Sequence, residues 1–481
     1  MSMLHQLFAR KTSFDNDDHA QGPALRRTLG PWGITALGIG SVIGTGIFVV
    51  TGTAAAEYAG PAVLISFILA AICSGFSALC YAEFATLIPI SGSSYSYAYA
   101  TLGEVVAWFI GWNMVLEYGI SASAVATSWT GYFTSLLDTL GMHLPKALTM
   151  APLAFTDGHL VGTGALLNLP AVAIVAALTW LCYVGIRESS GLNALMVVLK
   201  VGLIVVIIIA GARYVNVDNW HPFIPAHQGN DKYGWSGIFR AAAMVFFAYI
   251  GFEATSTAAQ ECKNPQRDLP FGILVSLILC TLLYLGMAAV MTGLVPYSML
   301  DVADPVVAAL RGHPELTWLR PLVEVGALIG LSSVILVMII AQPRIFMIMA
   351  RDGMLPKVFA KVHPRHRTPH INTLITGFGI AVLAAVFPLD LLADLTSMGT
   401  LIAFTAVCAG VLVLRYTQPD LKRTFRVPWA PVICVAGVLS CAFLLSQMNW
   451  FNWMLMLVWT VLGLAIYFGF GYRHSRLRSN Q

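Results

Sequence analysis

Charge is scarce in this chain: only 10% of its 481 residues are Asp, Glu, Lys or Arg, against about 25% in a soluble globular domain. The scarcity excludes an ordinary water-soluble protein. Long linkers, low-complexity segments and soluble domains are absent too; the longest polar stretches are the N-terminal tail and the loops at 214–235 and 350–370. No GxxxxGK[ST] loop occurs, which leaves no place for an ATP-binding module. No serine, histidine and acid arrangement lies inside an apolar run, so hydrolytic chemistry has no nucleophile–base pair. Metal-ligand spacing is missing, and no cofactor is expected. Seven of the eight cysteines lie in or at the ends of apolar runs, with Cys262 in a loop, so none is placed for an extracellular disulfide. A basic stripe interleaved with aromatics is also lacking, which sets nucleic acid aside as a partner.

Apolar sequence is abundant: 58% of residues are hydrophobic and the mean hydropathy is +0.76. Runs of about 20 apolar residues, the length that crosses a bilayer, fall at 33–56, 61–88, 104–132, 168–186, 193–213, 236–258, 270–295, 321–349, 371–388, 391–414, 430–447 and 452–472. The pattern predicts an all-α integral membrane protein with twelve transmembrane helices, the first an uncleaved span and not a signal peptide. An even number puts both termini on one side. Counting from that side, 20 Lys and Arg residues lie on the terminal face and 5 on the other, which places both termini in the cytoplasm of a multi-pass cell inner membrane protein. Only Lys200 and Arg240 fall inside spans.

Two spans are interrupted by glycine: Gly38 to Phe48 reads GIGSVIGTGIF, and Phe246 to Glu253 reads FFAYIGFE. Lipid offers no partner to a free N–H or C=O, so non-helical backbone at that depth survives only where it lines a cavity or a ligand. The two breaks are the first span of each half, five spans apart and of opposite direction. They fit a 5+5 inverted repeat: a cytoplasmic tail at 1–30, a transporter domain at 31–472 with repeat one at 31–213, repeat two at 236–414 and two further helices at 430–472, then a tail at 473–481.

Unwinding around Val42 to Gly46 frees the N–H groups of Thr45, Gly46 and Ile47 at the start of the outer half-helix, where they and the helix dipole attract a carboxylate. The carbonyls of Ser41 and Val42 then face a cation. In the sixth span, the carbonyls of Phe247, Ala248 and Ile250 can take an ammonium in the same manner. Such a site suits an α-amino acid. The spacing Gly40 to Gly44 also serves close packing of two helices.

Lys200 stands seven residues into the fifth span, roughly 10 Å at 1.5 Å per residue. Snorkelling to the surface is one reading; the other is a buried amine that alternates between charged and neutral and so couples to protons. Glu117 forms a polar stripe with Asn113 and Ser121 in the third span and faces the bundle interior, as a structural partner or a working acid. Glu253 follows the second break and begins a half-helix or serves gating. Arg240 is expected to reach outward to water. Tyr249 and Phe252 are core aromatics or a cover over a ligand, and the loop histidines His363, His366 and His370 read as solvated.

Together with YAEFATLIPISGSSYSYAY at 81–99, FFAYIGFEATSTAAQECKNPQRDLP at 246–270 and PRIFMIMARDGMLP at 343–356, these motifs resemble the amino acid–polyamine–organocation (APC) superfamily. The likeness spans nearly the whole chain and is greatest to bacterial members of the cationic amino acid transporter family. It implies the leucine-transporter-type inverted-repeat fold with discontinuous first and sixth helices, and alternating access around a mid-membrane site. Carried over residue by residue, it implies that the substrate carboxylate meets Thr45 and Gly46. The amine then meets the carbonyls of Val42 or Ile43 with those of Phe247, Ala248 and Ile250. Lys200 matches the lysine that replaces sodium in proton-coupled relatives, Glu117 a glutamate near the substrate, and Met338 the floor of the side-chain pocket. Tyr249, Phe252 and Glu253 fall to gating. The bulk of Met338, and the lack of an acid at that floor, favour proton-coupled uptake of small neutral L-amino acids such as alanine. Exchange, carriage of arginine or lysine, and a membrane amino acid sensor are the alternatives. The expected partners are therefore the amino acid, protons and the lipid bilayer.

Overall fold

The computed structural model describes residues 7–11, 29–88, 92–156, 159–184, 190–229, 231–364, 366 and 368–479. Most of the N-terminal tail, residues 89–91 within the 81–99 motif, the loop around Arg187, Arg365 and Arg367 lie outside the described residues. The chain is overwhelmingly helical, because in lipid a helix satisfies its own backbone. Its principal helices are α1 (Pro31–Val42), α2 (Val63–Leu87), α3 (Glu104–Thr139), α4 (Leu169–Val184), α5 (Ser190–Ala212), α6 (Gly234–Val245), α7 (Pro265–Leu294), α8 (Leu319–Arg351), α9 (His370–Val386), α10 (Leu389–Thr417), α11 (Ala430–Ser446) and α12 (Trp450–Ile466). Among the described residues, eight helices are long and apolar enough to cross a membrane, and α4, α9 and α11 are shorter apolar helices. The regular β structure among the described residues is an antiparallel hairpin, Leu153–Thr156 with His159–Gly162, between α3 and α4.

Both glycine-rich segments break their helices. α1 stops at Val42, Ile43 is extended (φ −74, ψ 101), and helical turns resume at Gly46–Val50 and continue through Ala54–Ala59. α6 passes into a 3₁₀ segment, Phe246–Tyr249, and the chain straightens at Ile250 (φ −67, ψ 133) before Gly251 takes φ 122. Beyond that glycine, Phe252–Glu261 is 3₁₀ helix. The hydroxyls of Thr255, Ser256 and Thr257 each donate to the carbonyl three residues back at 2.6 Å, a pattern matched to three residues per turn. α3 carries a π-helical turn at Leu116–Ile120.

Small residues set how closely helices meet. A Cβ at Gly272 of α7 would lie 2.3 Å from Ile34 of α1, so only glycine allows that crossing. Buried charges on the flanks are paired: Glu83 of α2 accepts from Arg415 at 2.6 Å and lies 3.2 Å from Arg423.

Arg240 does not reach outward. It is 3% exposed, pairs with Asp394 of α10 at 2.5 Å, and lies 5.2 Å from the Tyr58 ring centroid. Asn452 of α12 donates to the same carboxylate at 2.7 Å. Both partners belong to helices far along the chain, beyond the reach of local pattern. Removing one member of such a pair leaves a desolvated charge, a loss of about 3–5 kcal/mol. Arg240→Ala is therefore expected to lower the melting temperature of the purified protein sharply. Arg240→Met with Asp394→Leu should recover much of the loss, and equal melting of the single and double variants would contradict the pairing.

Candidate functional site

The two breaks meet. A Cβ on Gly46 would lie 2.4 Å from the Cα of Ala248, and a Cβ on Gly251 would lie 2.8 Å from the carbonyl oxygen of Ser41. Here the glycines are needed for close approach of backbone to backbone. The carbonyls freed by unwinding find partners on other helices. The Tyr284 hydroxyl of α7 lies 3.0 Å from Val42 O and 2.7 Å from Ala248 O, where it can donate to either break. Ser41 donates to Gly251 O at 3.0 Å, and the Gly251 N–H donates to Glu253 Oε2 at 2.9 Å.

Beside this junction is a small cavity of about 10 Å³, room for roughly one water. Val42, Thr45 and Gly46 form one side and Phe247 and Ile250 the other, with Met338 of α8 at its apolar end. The Thr45 hydroxyl there is buried and has no hydrogen-bond partner among the described residues. The N–H groups that open a helix have no intrahelical acceptor, so the half-helix starting at Gly46 presents donors where the Val42 side presents carbonyls. No acidic residue lines this cavity.

Lys200 is buried, 2% exposed. Its Nζ donates to Gly40 O at 2.6 Å, Ile43 O at 3.1 Å and Ser333 Oγ at 3.2 Å. Two of these are carbonyls of the end of α1 and the break itself, which is where a bound cation would sit. Snorkelling is thereby excluded.

Glu117 is fully buried in the π turn of α3, and neither of its carboxyl oxygens has a hydrogen-bond partner in the geometry. Glu253 lies near enough for the two carboxyl groups to sense each other's charge. A π turn inserts an extra residue and rotates the helix beyond it, a feature common at functional sites.

Six of the eight residues expected at the substrate, Val42, Thr45, Gly46, Phe247, Ile250 and Met338, line one cavity. Ile43 and Ala248 stand beside it and offer carbonyls already engaged by Lys200 and Tyr284. Tyr249 and Phe252 are braces in the packing: Tyr249 donates to Phe67 O at 3.0 Å, and Phe252 lies against Tyr81 and Phe404. Sequence reasoning missed Tyr284, Ser333 and Val334. For Tyr284 a signal existed, since a hydroxyl inside an apolar run must find a partner.

The amino acid permease family model matches residues 29–471. The chain is 46% identical to the branched-chain amino acid permease BcaP of Bacillus subtilis (strain 168), over 94% of this chain and 95% of that protein. It is 44% identical to the methylthioribose transporter of the same organism, over 98% and 100%. It is also 39% identical to the vacuolar cationic amino acid transporter 4 of Arabidopsis thaliana, over 82% of this chain and 64% of that protein.

Contact at Gly46 leaves no space for a methyl group, and overpacking costs about 1–3 kcal/mol. Gly46→Ala should part the breaks and lower the melting temperature. Gly75→Ala, where an added Cβ meets nothing within 4 Å, should leave that temperature unchanged; a harmless Gly46→Ala would refute the close approach.

Proposed function

The chain belongs to the amino acid permease family of the APC superfamily, and from that premise we propose that it takes up small neutral L-amino acids with protons by alternating access. It is a multi-pass membrane transporter and not an enzyme. The observation that carries the finer reading is the meeting of the two broken helices around one cavity with donors on one wall and carbonyls on the other. Once the cavity widens beyond its one-water volume, an α-carboxylate meets the N–H groups of Thr45 and Gly46, aided by the Thr45 hydroxyl. The ammonium fits the carbonyls of Val42 or Ile43 with those of Phe247, Ala248 and Ile250, because a carbonyl already accepting one bond keeps a second lone pair.

The same arrangement supports twelve spans in a 5+5 inverted repeat. The 42-residue run Gly46–Leu87 is twice the length of one span, and the chain turns within it at Gly60 (φ 61) and Pro61. Its first part completes the span begun by α1 and its second part, α2, is the next. Repeat one then occupies 31–213 and repeat two 236–414, with α11 and α12 outside them and both tails in the cytoplasm.

Protons enter through Lys200. Its ammonium occupies the carbonyl-lined place of a cation, so sodium has no room and no favourable field there. Losing the proton weakens its hold on Gly40 O and Ile43 O and so loosens the first break. Glu117 and Glu253, near each other beside the second break, suit a shared proton, and Glu253 with Tyr249 and Phe252 links that break to the gate.

Uptake of labelled alanine into proteoliposomes tests the transport reading; binding without flux would favour a sensor. Uptake should rise with an inward-acid gradient and ignore sodium. Lys200→Ala should keep alanine binding while losing the pH dependence, and a sodium requirement in the unaltered protein would overturn the coupling.

Side-chain selection rests on Met338, Val125 and Val334 around an apolar end with no acid. Two relatives are named branched-chain amino acid permeases, so valine, leucine and isoleucine form the second reading. Competition of alanine uptake by all twenty amino acids should rank small neutral ones first and arginine last. A flexible thioether sets a soft limit, and Met338→Ser should admit longer or cationic competitors; an unchanged ranking would move the determinant elsewhere.

A further inference from the structure

A second and much larger cavity, about 420 Å³, lies between α3, α8, α9, α10 and α12, away from the substrate site. Its volume falls within the range of small-molecule sites, roughly 300–1,000 Å³. The walls are leucine, isoleucine, valine and aromatic side chains, with no charged residue among them. Its rim includes Ile375, Val458 and Leu462, which are exposed, so it opens toward lipid.

Three side chains bring polar atoms into this apolar lining, one of them Trp459 of α12, whose Nε1 is buried without a hydrogen-bond partner among the described residues. Gln342 of α8 is 1% exposed and lines the cavity, yet neither its Oε1 nor its Nε2 has a hydrogen-bond partner among the described residues. The Thr376 hydroxyl of α9, also on the cavity wall, is likewise without one. A buried amide left unpaired is costly, and here acceptor and donor point into one space. We propose that this cavity is a binding site for an uncharged lipid alcohol.

A single hydroxyl answers the lining. It donates to Gln342 Oε1 and accepts from Gln342 Nε2 or the Thr376 hydroxyl, while its hydrocarbon body fills the apolar remainder. A phosphate or carboxylate head is disfavoured because no cation lines the site. A plain hydrocarbon tail leaves the amide unpaired. One wall is made by Leu116, Gly119 and Ile120 of the π turn that carries Glu117, so an occupant braces the turn from behind. The site itself stands independently of any role for Glu117.

The test is photolabelling of the full-length protein in phospholipid nanodiscs with a diazirine-bearing hexadecanol. Label should concentrate on peptides of α3 and α9, and unlabelled hexadecanol should displace it about tenfold better than hexadecane or hexadecanoate, the worth of roughly one net hydrogen bond. Gln342→Leu should erase that preference. Gly379→Leu should block labelling outright, since Gly379 lines the cavity and an added Cβ there meets nothing within 4 Å; retained alanine uptake confirms that this variant folds. Equal displacement by hexadecane would show a fissure wetted by any lipid tail and overturn the proposal. Stronger displacement by hexadecanoate, or labelling indifferent to Gly379→Leu, would overturn it as well.

Discussion

Backbone groups left unpaired inside a membrane must be answered by something other than water, and the centre of this protein is organised around that requirement. Breaking α1 at Ile43 and the chain beyond α6 at Ile250 and Gly251 releases carbonyls and amides inside the helix bundle. A tyrosine hydroxyl from α7, a lysine ammonium from α5, the hydroxyl of Ser41 and the carboxylate of Glu253 take them up. Each comes from a separate element, so the breaks stay open only while the surrounding helices hold their positions. Those groups that remain free, the Thr45 hydroxyl and the first N–H groups of the outer half-helix, are the ones placed at the cavity.

Polar side chains divide by the same rule. On the flanks, charge is matched: Glu83 with Arg415 and Arg423, and Arg240 with Asp394. These pairs hold helices that no hydrophobic force drives together in lipid. Toward the interior, matching fails at Glu117, one oxygen of Glu253, Thr45 and Gln342. A buried polar atom without a partner is expensive, and its persistence points to a partner that comes and goes. Such atoms stand beside the breaks and in the lipid-facing cavity, and also on the flanks, as at Glu324 Oε2 and Asn452 Oδ1.

Membership in the amino acid permease family fits this economy of polar groups, and relatives named for branched-chain amino acids, methylthioribose and cationic amino acids share the framework. Their printed names differ in substrate while the identity to this chain extends over most of its length.

Composition, apolar run length and glycine spacing by themselves determined that this is a helical membrane protein interrupted at GIGSVIGTGIF and YIGFE, because in lipid a helix is the default and a glycine-rich gap within a span demands a reason. They also determined that Lys200 and Glu117 are buried or costly, since so few charges interrupt the apolar runs. Which partners those groups meet belonged to tertiary structure alone. Arg240 finds Asp394, which also accepts from Asn452, across the bundle, and Tyr284 joins two carbonyls that lie in opposite halves of the chain. The 3₁₀ character of Phe252–Glu261 and the π turn at Leu116–Ile120 were equally hidden, because each is a small departure from a helix that packing selects and periodicity does not register. Residue content sets how many buried polar groups must be satisfied; only the folded arrangement of helices decides which of them are satisfied by protein and which are left for a ligand.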